Sequence, residues 1–271
     1  MGLSVDDIQV PLAEIKFLAR SPNRAVVFDA LREGPIERYD IEDVTGVSRA
    51  TLGRILDDFE ARGWVKRTGR RYETTPLGDY VVREFVDLLE RFEPVPALNG
   101  VARWFPEGGF DFDLGRLAGA EVVRPQMNDA LAPTTHIVRR LRTASRIRVL
   151  TYTALPGCME VCWRRTVAGT QEFEGVFDPG TLATLGADPQ MTAHAREMLE
   201  SGRAEVVRYD GDIPTVVVIA DDVVLLCLSG GEGAPRAVIE TDDETVRAWA
   251  DSTFESYRSE GRPLDPTLFT G

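Results

Sequence analysis

GVSRATLGRILDDFEARGWVKRTGRRYETT, residues 46–75, changes periodicity part-way along. In its first half Leu52, Ile55, Leu56 and Phe59 recur at i, i+3, i+4 and i+7, the stripe of a helix buried on one side. Ser48 stands where that helix begins, and serine is a preferred N-cap. Ala50 and Arg54 fall nearly opposite the stripe; Arg49 and Thr51 flank it in the first turn. Gly63 ends the helix. Trp64-Val65 and Tyr72-Glu73-Thr74 then read as two short strands joined by the polar turn Arg67–Arg71. Between positions 62 and 71 stand Arg62, Lys66, Arg67, Arg70 and Arg71, with no acid among them.

Upstream, Leu12–Ala19 is amphipathic, and Ser21-Pro22 marks a second helix start, with proline at the first helical position. A short helix follows around Ile41–Val44, and Thr45-Gly46 turns the chain into the striped helix. Helix, turn, helix, basic hairpin is the order of a winged helix-turn-helix. Such a helix enters the major groove by its N-terminal residues. Ser48, Arg49, Ala50, Thr51 and Arg54 are therefore the expected helix contacts, and Lys66, Arg67, Arg70 and Arg71 the expected wing contacts to phosphate.

The chain as a whole is acidic, with 44 Asp and Glu against 31 Lys and Arg in 271 residues, a net charge of −13. The acid is unevenly placed. Residues 1–75 carry 12 basic and 13 acidic side chains, whereas 76–271 carry 19 and 31. A local basic edge thus survives where the duplex would lie. Only Lys16 and Lys66 are lysines; the other basic residues are arginine, and together with the acidic surface this resembles the style of salt-loving archaea. No apolar run reaches the roughly 20 residues of a membrane span, and the N-terminus lacks the pattern of a signal peptide. A cytoplasmic location is expected.

From Leu77 to about Phe92 the chain reads as one helix, with Leu77, Val81, Phe85, Leu88 and Phe92 in one stripe and Val82, Val86 and Leu89 in a second. Two apolar sides suit a helix that packs on its own domain and on a second copy of the chain. Pro94, Pro96, Gly100, Pro106, Gly108 and Gly109 break regularity, so 93–112 reads as linker. A helix over Phe112–Ala118 and an extended piece at Ala120–Val123 follow. Beyond them, apolar runs at Ile147–Tyr152, Glu172–Phe177, Ala204–Tyr209, Thr215–Ala220, Val223–Leu228 and Ala237–Glu240 alternate with helical stretches, the pattern of an α/β sheet covered by helices. The expected division is 1–76, a winged helix-turn-helix; 77–112, dimerisation helix and linker; and 113–271, an α/β domain.

Several chemistries have weak support. Three cysteines, Cys158, Cys162 and Cys227, and two distant histidines give no metal quartet; no metal or cofactor is expected. Cys158 and Cys162, at i and i+4, offer a redox-sensing alternative if one thiol is exposed and acidified. Gly230–Gly233 is glycine-rich without a clear following helix, and reads as a turn. In open α/β sheets ligands bind beyond the C-terminal strand ends. Thr151, Tyr152, Thr153, Asp178 and Tyr209 sit there, and their hydroxyl and carboxylate groups suit a small polar effector.

The stretches SPNRAVVFDALREGP, GVSRATLGRILDDFEARGWVKR and YETTPLGDYV resemble the haloarchaeal winged helix-turn-helix transcriptional regulators. AEVVRPQMNDALAP, IRVLTYTALP, GRAEVVRYDGDIPTVVVIADDVVLLCLS and DDETVRAWADSTFESYRS resemble the middle-domain family first described in a methanogenesis regulator. The resemblance implies a dimeric transcription factor whose second domain is regulatory or ligand-sensing. The sheet order of that domain, taken separately, resembles the phospholipase D-like fold in a non-catalytic form. Catalysis on that sheet needs His-x-Lys, because histidine attacks phosphorus while lysine holds its oxygens. Here His136 precedes Ile137-Val138 and His194 precedes Ala195-Arg196, so no enzyme activity is expected. A winged helix that binds another protein in place of a duplex is the remaining alternative.

Overall fold

The computed structural model of the chain describes residues 4–230 and 233–264. It divides into two compact units between Phe92 and Glu93.

The first unit runs α1 (Val5–Ala19), α2 (Pro22–Ala30), β1 (Ile36–Glu37), α3 (Arg38–Thr45), α4 (Arg49–Ala61), β2 (Val65–Thr68), β3 (Arg71–Thr74) and α5 (Pro76–Phe92). Gly46, at φ +66°, ends α3 in the left-handed region, where glycine carries no Cβ penalty. Leu52, Ile55, Leu56 and Phe59 are all buried, as their spacing requires. Each such side chain contributes about 1.5–3 kcal/mol relative to exposure. Phe59 packs on Phe28 with ring centroids 4.5 Å apart, and Phe28 stacks on Trp64 at 5.6 Å. The expected loop Arg67–Arg71 is tighter than its composition suggests. Arg67 pairs with Tyr72 and Thr68 with Arg71 across an antiparallel ladder. Only Gly69 and Arg70 turn the chain, with Gly69 at φ +67° as a two-residue turn with glycine first demands. β1 adds a third strand, Ile36 facing Tyr72.

α5 belongs to this unit. The Thr75 Oγ1 accepts from the Gly78 amide at 3.1 Å and donates to the Gly63 carbonyl at 2.6 Å, tying the helix start to the wing base. Any Cβ at position 78 would fall 1.8 Å from the Trp64 carbonyl oxygen. Gly78, Val82 and Phe85 form the buried side of α5, with Phe85 from the first expected stripe and Val82 from the second. Leu77, Tyr80, Leu89 and Phe92 stay exposed.

The second unit opens with α6 (Val95–Asn99) and two 3₁₀ turns, Ala102–Trp104 and Leu114–Leu117. Then come β4 (Glu121–Val123), α7 (Ala132–Thr143), β5 (Arg146–Thr151), α8 (Pro156–Val167), β6 (Glu172–Phe177), α9 (Pro179–Ala187), α10 (Pro189–Glu200), β7 (Ala204–Arg208), β8 (Val216–Ala220), β9 (Val223–Leu228), β10 (Ala237–Thr241), α11 (Glu244–Glu260) and β11 (Arg262–Pro263). The eight strands form one sheet in the order β11-β7-β6-β5-β8-β9-β10-β4. β5, β6 and β7 are parallel neighbours and the remaining pairings are antiparallel. Right-handed crossovers that step in one direction place their helices on one face. α7 to α10 accordingly share a face with one core cluster, while α11 covers the other. β8 and β10 are buried at every position because both faces are covered.

Residues 93–112 are no free linker. Leu98 and Val101 are buried in the α11-side core, and Phe110 and Phe112 meet Trp249 edge-on at 5.7 and 5.0 Å. The prolines and glycines break helices without loosening the chain, because the aromatic side chains between them have a core to fill. The division between Phe92 and Glu93 falls inside the expected 77–112 segment: its helix packs with the first unit and the rest of it with the second. The helix expected over Phe112–Ala118 is a single 3₁₀ turn. No helix among the described residues is long and apolar enough to cross a membrane. Of the glycine-rich stretch, Gly231 and Glu232 lie outside the described residues.

Candidate nucleic-acid interface

α4 presents Arg49, Ala50 and Arg54 to solvent. Ser48 sits at the N-cap, but its side chain makes no capping bond; its hydroxyl donates to Thr51 Oγ1 at 3.0 Å. The expected cap is thus a hydroxyl pair, and the first-turn amides of α4 have no side-chain acceptor among the described residues. Uncapped amides at a helix start, with a cation beside them, suit a phosphate oxygen. Across α4, Arg38 reaches the Arg49 carbonyl at 2.5 Å, in space that exists because residue 53 is glycine.

The wing cations are not equivalent. Lys66 pairs with Glu73 at 3.2 Å, and Arg71 lies 4.0 Å from Glu37 on β1. Arg67 donates to the Gly69 carbonyl at 3.0 Å and lies over Tyr72. Arg70, at the turn, has no ion pair among the described residues, and neither do Arg49 and Arg54. Arg62, the remaining cation of the basic stretch, is taken up by Glu14 and by the Phe17 ring. On α4, Asp58 is paired with Arg24 at 2.9 Å, while Asp57 is exposed.

In the second unit the five expected effector residues part company. Thr151 Oγ1 closes a local turn, donating to the Thr153 carbonyl at 2.8 Å and accepting from the Thr153 amide at 3.0 Å. The Tyr152 hydroxyl is bonded to Ser229. The Asp178 carboxylate caps α9 through the Thr181 amide at 2.8 Å. Tyr209 packs against Tyr257 on the α11 side of the sheet. Thr151 and Thr153 line a cavity on the opposite face; Tyr152, Asp178 and Tyr209 do not.

Residues 12–95 match the family model of the HVO_A0261 N-terminal domain, and residues 130–260 that of the middle domain of the methanogenesis regulatory protein FilR1. The two matches fall on different parts of the chain, each to a different domain family. Among solved structures, the chain is similar to TrmBL2, an archaeal chromatin protein, at 16% identity and a TM-score of 0.43, over 96% of this chain and 100% of that one. It is also similar to Nuc, a phospholipase D family member from Salmonella typhimurium, at 15% identity and a TM-score of 0.41, over 54% of this chain and 97% of that one. No curated protein matches the chain in sequence.

Within the second unit both histidines are engaged. His194 stacks on Trp163 at 3.8 Å. His136 is buried, with Nε2 2.5 Å from Glu240 and Nδ1 2.7 Å from an Arg139 nitrogen. Burial alone would raise the Glu240 carboxyl, but hydrogen bonds from Arg140 and His136 outweigh it and hold the group below the ordinary carboxylate range. Glu121 approaches the same histidine, so three ligand-type side chains meet here, with two arginines already on them. Sequence spacing does not reveal this cluster, because Glu240 stands 104 residues from His136 and 100 from Arg140. All three cysteines are free thiols. Burial pushes Cys158 up to about 12, and Cys162 and Cys227 higher still, so the thiolate that a redox sensor needs is disfavoured.

Proposed function

We propose that the chain is a sequence-specific DNA-binding transcriptional regulator. α4 enters the major groove, the wing tip lies on the backbone, and the FilR1-type domain biases the assembly when an effector binds. One observation carries the reading: on a strongly acidic chain, Arg49, Arg54 and Arg70 sit on the exposed side of α4 and at the wing tip without an acidic partner among the described residues. An unpaired cation brings its full charge to phosphate, whereas Lys66 must first leave Glu73. The regulator works as a homodimer, with the exposed residues Leu77, Tyr80, Leu89 and Phe92 of α5 as its contact. Reading the second domain as non-catalytic is supported by the packing of His136 and His194, neither of which is followed by the lysine a phosphodiesterase needs. Effector control then requires a ligand that favours one dimer state over another.

The test is a salt series. Affinity for genomic fragments is measured by gel shift, starting from the high salt a halophilic protein meets. Each phosphate contact contributes about 0.9 to the slope of log affinity against log salt. Changing Arg70 to Ala should flatten that slope by about one per half-site, and adding Arg71→Ala, whose guanidinium must first leave Glu37, should flatten it by up to about one more. An unchanged slope removes the wing from the interface. Wild-type protein that retains no fragment at all points to a protein partner for the winged domain.

A further inference from the structure

The FilR1-type domain holds a cavity of about 90 Å³ between the β5–β6–β8–β9 face of the sheet and the α7–α8–α9 layer. Its wall is mostly hydrocarbon and thiol, with Val149, Phe177 and Leu185 beside Cys158, Cys162 and Cys227, and three threonines, Thr151, Thr153 and Thr181, complete it. No charged side chain lines it among the described residues. It reaches Thr153, Ala154 and Leu155, the half-buried residues that follow β5. Protein cores normally pack without voids much larger than a water molecule. An apolar cavity of about 150 Å³ stays dry and takes up benzene or xenon.

A second observation comes from Thr181, a residue of the cavity wall. It is 2% exposed, and its Oγ1 has no hydrogen-bond partner among the described residues, although its amide is bonded to Asp178. A buried hydroxyl without a partner is costly, and a ligand that supplies an acceptor removes that cost. The polar groups expected to recognise an effector are, by contrast, already committed inside the fold: Tyr152 to Ser229 and Asp178 to α9.

We propose that this cavity binds a compact, uncharged, largely apolar molecule bearing one hydrogen-bond acceptor, which receives the Thr181 hydroxyl. The proposal rests on the reading of this domain as the effector module and names the chemical class of its ligand. The walls hold the hydrocarbon part by dispersion, and the lack of any lining charge turns away carboxylates, phosphates and amines, whose desolvation nothing there offsets.

The full-length protein is titrated with cyclopentane and with cyclopentanone, rings of like size that differ by a carbonyl. Binding is read by calorimetry and by the shift of the thermal transition. Both rings should bind the wild type saturably. Thr181→Val, which keeps the shape and removes the hydroxyl, should weaken cyclopentanone roughly three- to tenfold and leave cyclopentane unchanged. Cys162→Leu, which fills the cavity, should abolish both. Absence of saturable binding to wild type overturns the proposal, as does undiminished binding to Cys162→Leu; an equal effect of Thr181→Val on the two rings overturns the assigned hydrogen bond. Should Cys162→Leu not fold, the wild-type titration decides by itself. Rings that bind without altering DNA affinity keep the site and remove the effector reading; DNA binding without ring binding removes the site and leaves the DNA-binding reading standing.

Discussion

At Glu240 the balance of burial against partners is visible in one side chain. It is 7% exposed and accepts from Arg140 and His136. Its carboxyl is held below its unfolded value, so its contribution to stability is fully present above the ordinary carboxylate pKa of about 4.3 and is lost as pH falls through the lower folded value. Glu240→Gln should therefore lower unfolding free energy by about 2 kcal/mol at pH 7. By pH 3 the gap between wild type and variant should be clearly smaller. Urea unfolding at the two pH values checks this, and equal gaps would show that Glu240 is bonded as a neutral group. The interface residues were only half legible at this scale. Lys66, Arg67, Arg70 and Arg71 could be named from a run without acid, but Glu37 and Glu73 reach Arg71 and Lys66 through strand pairing. Charge along the chain does not say which cation is already answered across a ladder.

Among the elements, α5 shows what periodicity leaves open. Its apolar residues wind around more than half the helix, and the pattern alone does not choose which side faces the domain. Gly78 chooses. Only a residue without a Cβ lets the helix lie on the Trp64 carbonyl, and that contact turns Val82 and Phe85 inward and leaves Leu77, Leu89 and Phe92 outside. Leu77→Asp with Phe92→Asp should convert a dimer into a monomer in sedimentation equilibrium and leave the helical circular dichroism unchanged, since exposed substitutions away from special contacts cost little. A variant that sediments like the wild type would place the dimer contact elsewhere. The segment 93–112 makes the converse point. Its prolines and glycines correctly exclude a long helix, yet Leu98, Val101, Phe110 and Phe112 pack because α11 offers them a surface.

For the whole molecule, two units with separate apolar clusters should unfold as two transitions in calorimetry. Gly78→Ala is the probe. A methyl group driven toward a backbone carbonyl costs roughly 1–3 kcal/mol or more, and it should lower the transition of the winged unit alone. A shift of both transitions would mean that the units melt as one. The sequence by itself determined the order of helix, turn, helix and hairpin, most of the strands of the second unit, and where positive charge survives on an acidic chain. These are set by spacing along the backbone and by local turn chemistry. Only the tertiary structure decided the side of α5 that is buried, the cations that remain unpaired, the His136–Glu240 cluster, and a cavity walled by three cysteines from α8 and β9. Each of those depends on residues far apart in the chain being brought within a few ångströms, which no local pattern encodes.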